Sequence, residues 1–203
     1  MYSERLEKAI QLAMRAHAGQ SRKADPDVPY ATHPIHVALM VQANGGSEDA
    51  VIAALLHDLL EDTGVTREDL EEGFGARITG IVEEVSEDKS LRWEERKRRM
   101  VERIRTASPE ACLVAAADKT HNLATLVDAY ERVGADVWKA FRRGPGPTVR
   151  HFTEMFEALR GRIPAGLEAA FAQALDRARM IQPARGSQIP PDPEDAGPAS
   201  EAS

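Results

Sequence analysis

The string Ala53-Ala54-Leu55-Leu56-His57-Asp58-Leu59-Leu60-Glu61-Asp62-Thr63 sets an imidazole and three carboxylates at the end of a strongly apolar run. On a helix, Glu61 lies one turn from both His57 and Asp58, and Asp62 lies one turn from Asp58. Burying such a cluster without a counter-charge desolvates several like charges together, and a divalent cation removes that cost. A solvated helix end is the competing reading. For Glu61 and Asp62, beside the Thr63-Gly64 stop, the two readings balance; for His57 and Asp58, directly after core-like residues, the cation reading is the stronger. Asp118 follows the small apolar run Val114-Ala115-Ala116-Ala117, and His33 stands directly before Pro34. Set against a helix carrying a His-Asp pair, Asp118 becomes a natural fourth ligand, and a residue at a helix start such as His33 can be aimed into a cleft. A lone histidine is more often structural, and His17, His36, His121 and His151 are read that way.

The elements that must position these residues read as helix after helix. Leu6, Ile10, Ala13 and His17 recur at helical spacing behind Ser3, a candidate N-cap. Residues 19–30 read as a loop. Pro34 suits the first turn of a second helix, which Gly45 and Gly46 stop. Ser47 caps a third, apolar on every side and so expected to cross the core. Thr66 with Asp69 resembles a capping box. Ile78 to Val85 marks another helix, residues 92–105 a surface-lying one, and Ser108-Pro109 opens a long helix through Asp118 and Asn122 to about Tyr130. Three more follow, around residues 137–141, 152–159 and 167–181. No sustained alternation with β-branched residues occurs, so the expected fold class is all-α.

Composition narrows the function. The 203 residues carry 42% hydrophobic and 29% charged side chains, ordinary for one soluble domain. A net charge of -7 argues against binding nucleic-acid polymers or membrane surfaces, although a local Arg and Lys cluster can still take a small anion. One cysteine, Cys112, forms no internal disulfide and fits a reducing compartment. The first residues lack the apolar stretch of a signal peptide, and no run reaches the length of a membrane span, so a cytoplasmic protein is expected. Residues 182–203 shift to Pro, Gly, Ser, Ala and acids and are expected to form a disordered tail behind a domain of residues 1–181.

Four segments in order resemble the HD superfamily of metal-dependent phosphohydrolases, in particular its alarmone-hydrolase branch of RelA/SpoT-type domains and their small stand-alone relatives. They are Ala16-His17-Ala18-Gly19-Gln20-Ser21-Arg22-Lys23, Pro29-Tyr30-Ala31-Thr32-His33-Pro34, the string through His57, and Ala117-Asp118-Lys119-Thr120-His121-Asn122-Leu123. Phe74-Gly75 and Ser86-Glu87-Asp88-Lys89-Ser90 are weaker matches. The resemblance implies an HD-domain multi-helix bundle around a single metal, usually manganese, held by His33, His57, Asp58 and Asp118. Mixed nitrogen and oxygen ligands without thiolate agree with Mn²⁺ or a similar divalent ion. It further implies that Glu61 and Asp62 orient or deprotonate the attacking water, that Arg22 and Lys23 clamp phosphate, and that Asn122 and, more weakly, Thr125 contact the nucleotide. Tyr30 suits either the core or a pocket wall.

The implied reaction is hydrolysis of the 3′-pyrophosphate of guanosine tetra- or pentaphosphate, the stringent-response alarmones, releasing pyrophosphate and a guanosine nucleotide. Two alternatives are another nucleotide or small phosphate ester, such as an adenosine 3′-pyrophosphate, and a non-catalytic sensing module. The intact set of ligands and acids speaks against the last. Ala24-Asp25-Pro26-Asp27-Val28-Pro29 departs from the family's shorter glycine-containing loop and sets acid beside the clamp. The expected partner is a small-molecule nucleotide; oligomerisation is left open.

Overall fold

The computed structural model describes residues 2–181 apart from 24 and 142; the tail expected over 182–203 lies outside the described residues. The chain begins with α1 (Glu4–Ala16), capped by Ser3 as expected. A two-stranded antiparallel hairpin follows, β1 (Ser21–Arg22) and β2 (Asp25–Pro29). Then come α2 (Thr32–Ala43), α3 (Glu48–Leu56), α4 (Leu59–Asp62), α5 (Arg67–Phe74), α6 (Ala76–Val85), α7 (Trp93–Ile104) and α8 (Pro109–Val133). A 3₁₀ helix (Gly134–Ala140), α9 (Pro145–Leu159) and α10 (Ala165–Met180) complete it. Among the described residues no helix is long and apolar enough to cross a membrane.

The all-α expectation holds for the body, with one correction: residues 21–29 form a hairpin where a loop was expected. The signal was absent because Asp25-Pro26-Asp27-Val28-Pro29 does not alternate and buries no face. The hairpin is held from outside itself. Tyr30 N–H donates to Gln20 O at 2.9 Å, and Arg132 of α8 pairs with Asp25 at 2.5 Å.

α3 is the centre of the core. Every residue from Ala50 to Leu56 is buried, which is why no polar face could be read from it. It packs against α1, α2, α6 and α8. α8, 25 residues and so roughly 37 Å long, runs alongside and also touches α9 and α10. Ser108 Oγ accepts from Ala111 N–H at its start, with Pro109 in the first turn, as expected. At the tight turn between α2 and α3, Gly45 has φ +82°, and a Cβ on Gly46 would collide with Val41 and lie 3.1 Å from Leu113 Cδ2. Only glycine lets the turn close this tightly against the end of α2 and against α8.

A second difference falls at the site itself. A continuous helix from α3 would put Glu61 one turn from His57; instead the helical ladder stops at Leu56 and restarts at Leu59. His57 Nδ1 donates to Ala54 O at 2.7 Å, occupying the carbonyl that Asp58 N–H would take in a continuing helix. Both residues stay in helical backbone geometry, and Asp58 O still accepts from Glu61 and Asp62 N–H at 3.2 and 2.9 Å.

Candidate metal centre and cleft

Three elements bring the expected ligands together. His33 sits in the first turn of α2, His57 and Asp58 in the break after α3, and Asp118 in the middle of α8. His33 Nε2 and His57 Nε2 face each other at 3.2 Å. Asp58 Oδ2 lies 3.4 Å from the first and 3.2 Å from the second, and Asp118 Oδ1 lies 3.2 and 3.7 Å from them. One ligand atom each from His33, His57 and Asp58 falls within a 4.8 Å sphere of mutual distance. Both imidazoles are almost wholly buried, His33 at 1% and His57 at 3% exposure.

The hydrogen bonds behind the rings decide which nitrogens point inward with lone pairs. Ala54 O can only accept, so His57 Nδ1 carries a proton and Nε2 faces the centre. His33 Nδ1 lies 2.8 Å from His121 Nδ1. Burial, with help from His33 and Arg22, pushes His121 down to about 3, so it is neutral and can accept. With Nδ1 committed to His121, Nε2 is the His33 nitrogen that faces the centre. Two imidazole nitrogens and the Asp58 carboxylate therefore converge, with Asp118 Oδ1 beside both nitrogens, a donor set that fits a divalent cation of mixed nitrogen and oxygen preference. With no cation the same point attracts a proton: burial opposes charge on His57, but Asp58 and Asp118 overcome it and push the ring up to about 9.

The carboxylates are held ionised. Burial alone would raise Asp118, yet Lys119 and the two imidazoles keep it well below the usual range; Lys119 Nζ lies 2.6 Å from Oδ2 and Asn122 Nδ2 donates to Oδ1 at 2.5 Å. Asp58 is likewise lowered against its burial by His57 and His33. Tyr30 donates to Asp58 Oδ2 at 2.5 Å, so the residue left open between core and wall orients a ligand.

Glu61 and Asp62 lie next to this centre in different surroundings. Burial, then Asp58 and Glu87, push Glu61 up to about 7, and its Oε1 accepts from Glu87 N–H at 2.7 Å. Asp62 is more open and pairs with Lys89. On the other side, Arg22 donates to Asn122 Oδ1 at 2.9 Å and Thr125 Oγ1 at 3.3 Å, uniting three of the expected substrate contacts, while Lys23 lines the same cleft. That cleft measures about 1020 Å³ and runs from the hairpin past the centre to Trp93 and Phe152. Asp25, the acid expected to disturb the clamp, is instead drawn off by Arg132.

A sequence profile described as an HD domain matches residues 9–146. The chain belongs to the HD domain family. This HD domain is 46% identical over 121 residues to the human guanosine-3′,5′-bis(diphosphate) 3′-pyrophosphohydrolase MESH1, covering 59% of this chain and 68% of that protein. It is 36% identical over 129 residues to the bifunctional (p)ppGpp synthase/hydrolase SpoT of Escherichia coli, covering 61% of this chain but 18% of the relative. Among solved structures, one described as a metazoan ortholog of SpoT that hydrolyzes ppGpp and plays a role in starvation responses superposes with a TM-score of 0.74. It is 31% identical and covers 87% of this chain and 97% of that one. The HD family implies a divalent metal, and the donors around His33, His57 and Asp58 suit one.

Residues outside the expected set also act here. His121, read as structural, bonds the back of the His33 ring, and Lys119, Glu87 and Lys89 compensate or hold the acids. The segment containing Glu87 and Lys89 was visible only as a weak family match. Periodicity carries no sign of a loop that reaches back over 26 residues to Glu61.

Proposed function

We propose that this HD domain hydrolyses the 3′-pyrophosphate of guanosine 3′,5′-bis(diphosphate)-like alarmones with Mn²⁺ bound, releasing pyrophosphate and a guanosine nucleotide. The observation that carries the reading is the juxtaposition of the His33–His57–Asp58 donors with Asp118 beside them, the Glu61-Asp62 pair, and the Arg22–Asn122–Thr125 trio, whose Asn122 also bonds Asp118. The names of the relatives agree with it.

In this reading His33, His57, Asp58 and Asp118 would hold the ion, which would supply Lewis acidity and positive charge to the phosphoryl group. Glu61, with affinity for a proton poised near neutrality, takes the proton of the attacking water. Asp62, paired with Lys89, orients that water. As the new oxygen–phosphorus bond forms, the bond from phosphorus to the ribose 3′-oxygen breaks, and the leaving oxygen recovers a proton. Arg22 can offer a forked guanidinium and Lys23 a point charge to the substrate's phosphates, while Asn122 and Thr125 face its nucleoside. A nucleotide-sized substrate rather than a polymer suits a bounded cleft in a chain of net charge -7. The buried free thiol of Cys112 is consistent with a cytoplasmic enzyme built on residues 1–181.

The decisive experiment incubates Mn²⁺-loaded protein with guanosine 3′,5′-bis(diphosphate) and follows pyrophosphate and guanosine diphosphate by ion-exchange chromatography. Turnover by the wild type and its loss in Asp58→Ala are expected. Metal-loaded protein silent on both guanosine and adenosine 3′-pyrophosphates would sink the assignment.

A further inference from the structure

Glu61 and Asp62 sit on α4, a helix of four residues. A single turn is too short to be rigid by itself, so the placement of these two acids must come from elsewhere. Buried Leu59, together with Gln20, whose Nε2 donates to Asp62 O at 2.8 Å, holds the backbone of the turn, and the loop joining α6 to α7, residues 86–92, holds its carboxylates. Glu87 N–H donates to Glu61 Oε1 at 2.7 Å, and two residues on, Lys89 pairs with Asp62. One short loop thus grips both carboxylates.

The loop is anchored in turn by α7. The Glu87 side chain is 6% exposed, and its carboxylate lies 2.7 Å from Arg96 Nε and 2.6 Å from Lys97 Nζ. Lys119 of α8 adds positive charge to it, and these cations hold Glu87 below the usual carboxylate range despite its burial. Arg103, also on α7, donates to Ser86 O at 2.5 Å and Glu83 O at 2.9 Å, so the root of the loop is tied down as well. Ion pairs needed only to close α7 onto the core could anchor at any loop residue. Here the anchored residue is the one whose own N–H meets Glu61.

We propose that Glu87 is a positioning residue: its carboxylate, locked by Arg96 and Lys97, clamps the 86–92 loop over α4 and so sets where Glu61 and Asp62 stand relative to the metal donors. Glu87 acts through its backbone and the loop, not on substrate. The role presupposes the reaction proposed above, because Glu61 is the group it serves.

The test uses full-length, Mn²⁺-loaded Glu87→Gln, Glu87→Asp, Lys97→Met and the Glu87→Gln/Lys97→Met double variant. Rates are read on guanosine 3′,5′-bis(diphosphate) and on bis(4-nitrophenyl) phosphate. For Glu87→Gln, kcat is expected to fall on the order of tenfold or more, while KM and metal per chain stay within about twofold. Glu87→Asp should recover part of the loss, and the double variant should be no worse than the worse single one. A kcat within twofold of wild type overturns the role, as does a fall in which KM, metal content and melting temperature all move together. If Glu87→Gln does not fold, the same split or its absence in Lys97→Met decides. Wild-type activity on the chromogenic ester alone would reject the alarmone assignment yet leave the positioning comparison readable. If wild type is silent on both, a crystal structure of a folded variant decides: loss of the Glu61 contact to the residue 87 N–H supports the role, and its retention overturns it.

Discussion

At the His33 and His57 end of the cleft the polar side chains come from α2, the α3–α4 break and α8, and are buried and bonded from behind; at the Arg22 end a half-buried guanidinium carried on a two-stranded hairpin meets Asn122 and Thr125 of α8. The first end is rigid because each imidazole has one nitrogen committed to a fixed partner before any ligand arrives. The second is assembled by side chains reaching across 100 and 103 residues of sequence, from Arg22 to Asn122 and Thr125. Under the proposed function, the ion and the acids stand on the helical core, while the phosphate clamp stands on an appendage of the kind that tolerates change. The acidic, proline-containing hairpin, one of the places where the sequence departs from the pattern of the family it resembles, sits at the Arg22 end.

Substitutions should separate the two ends. The largest effect is expected from Asp58→Ala, which removes a ligand and the acceptor of Tyr30: activity should fall on the order of a thousandfold, and metal per chain, measured by plasma emission, should fall with it. Glu61→Gln should lower kcat by roughly a hundredfold while the metal stays bound; equal loss of metal would place Glu61 among the ligands instead. Arg22→Ala should act mainly on KM, raising it about tenfold, as the loss of charge-assisted contacts worth about 1.5 kcal/mol predicts. A change confined to kcat would break the division between the ends.

The smallest effect concerns stability. Burial, with Lys97 and Lys119, pushes His151 on α9 down to about 2, below its unfolded value of 6.5. A folded-state value below the unfolded one means that the unfolded chain binds the extra proton, so stability contributed by neutral His151 is lost as pH falls below about 6.5. The slope is about 1.4 kcal/mol per pH unit. His151→Phe should flatten the acid limb of a urea-denaturation series between pH 6.5 and 5, and an unchanged limb would reject the buried neutral state.

The residues of the helical end were legible because they break a pattern: His57, Asp58 and Asp118 interrupt apolar runs at positions a core would fill with leucine or alanine. The capping signals at Ser3, Ser47, Thr66 and Ser108 located four helix starts to within a residue, because an N-cap is a local bond. What stayed hidden depends on contacts distant in sequence. The hairpin owes its order to Asp25 with Arg132 and to Gln20 with Tyr30. The break between α3 and α4 depends on one imidazole taking one carbonyl, and His121 earned its role only when α8 came to lie against α2. The order in which side chains compete for the same backbone group is not written in periodicity.

The crowded turn at Gly46 gives the metal centre a remote control. α2 spans 12 residues, so roughly 18 Å separate that turn from His33 at the opposite end of the same rod. A methyl group at position 46 would meet Val41 O at 2.9 Å and act as a wedge under one end of a lever. The far end of the lever carries an imidazole that must stay within about 3 Å of its counterpart on the neighbouring helix. Gly46→Ala is therefore expected to weaken ion affinity from a place no ligand reaches, as metal titration of the folded variant against wild type would show.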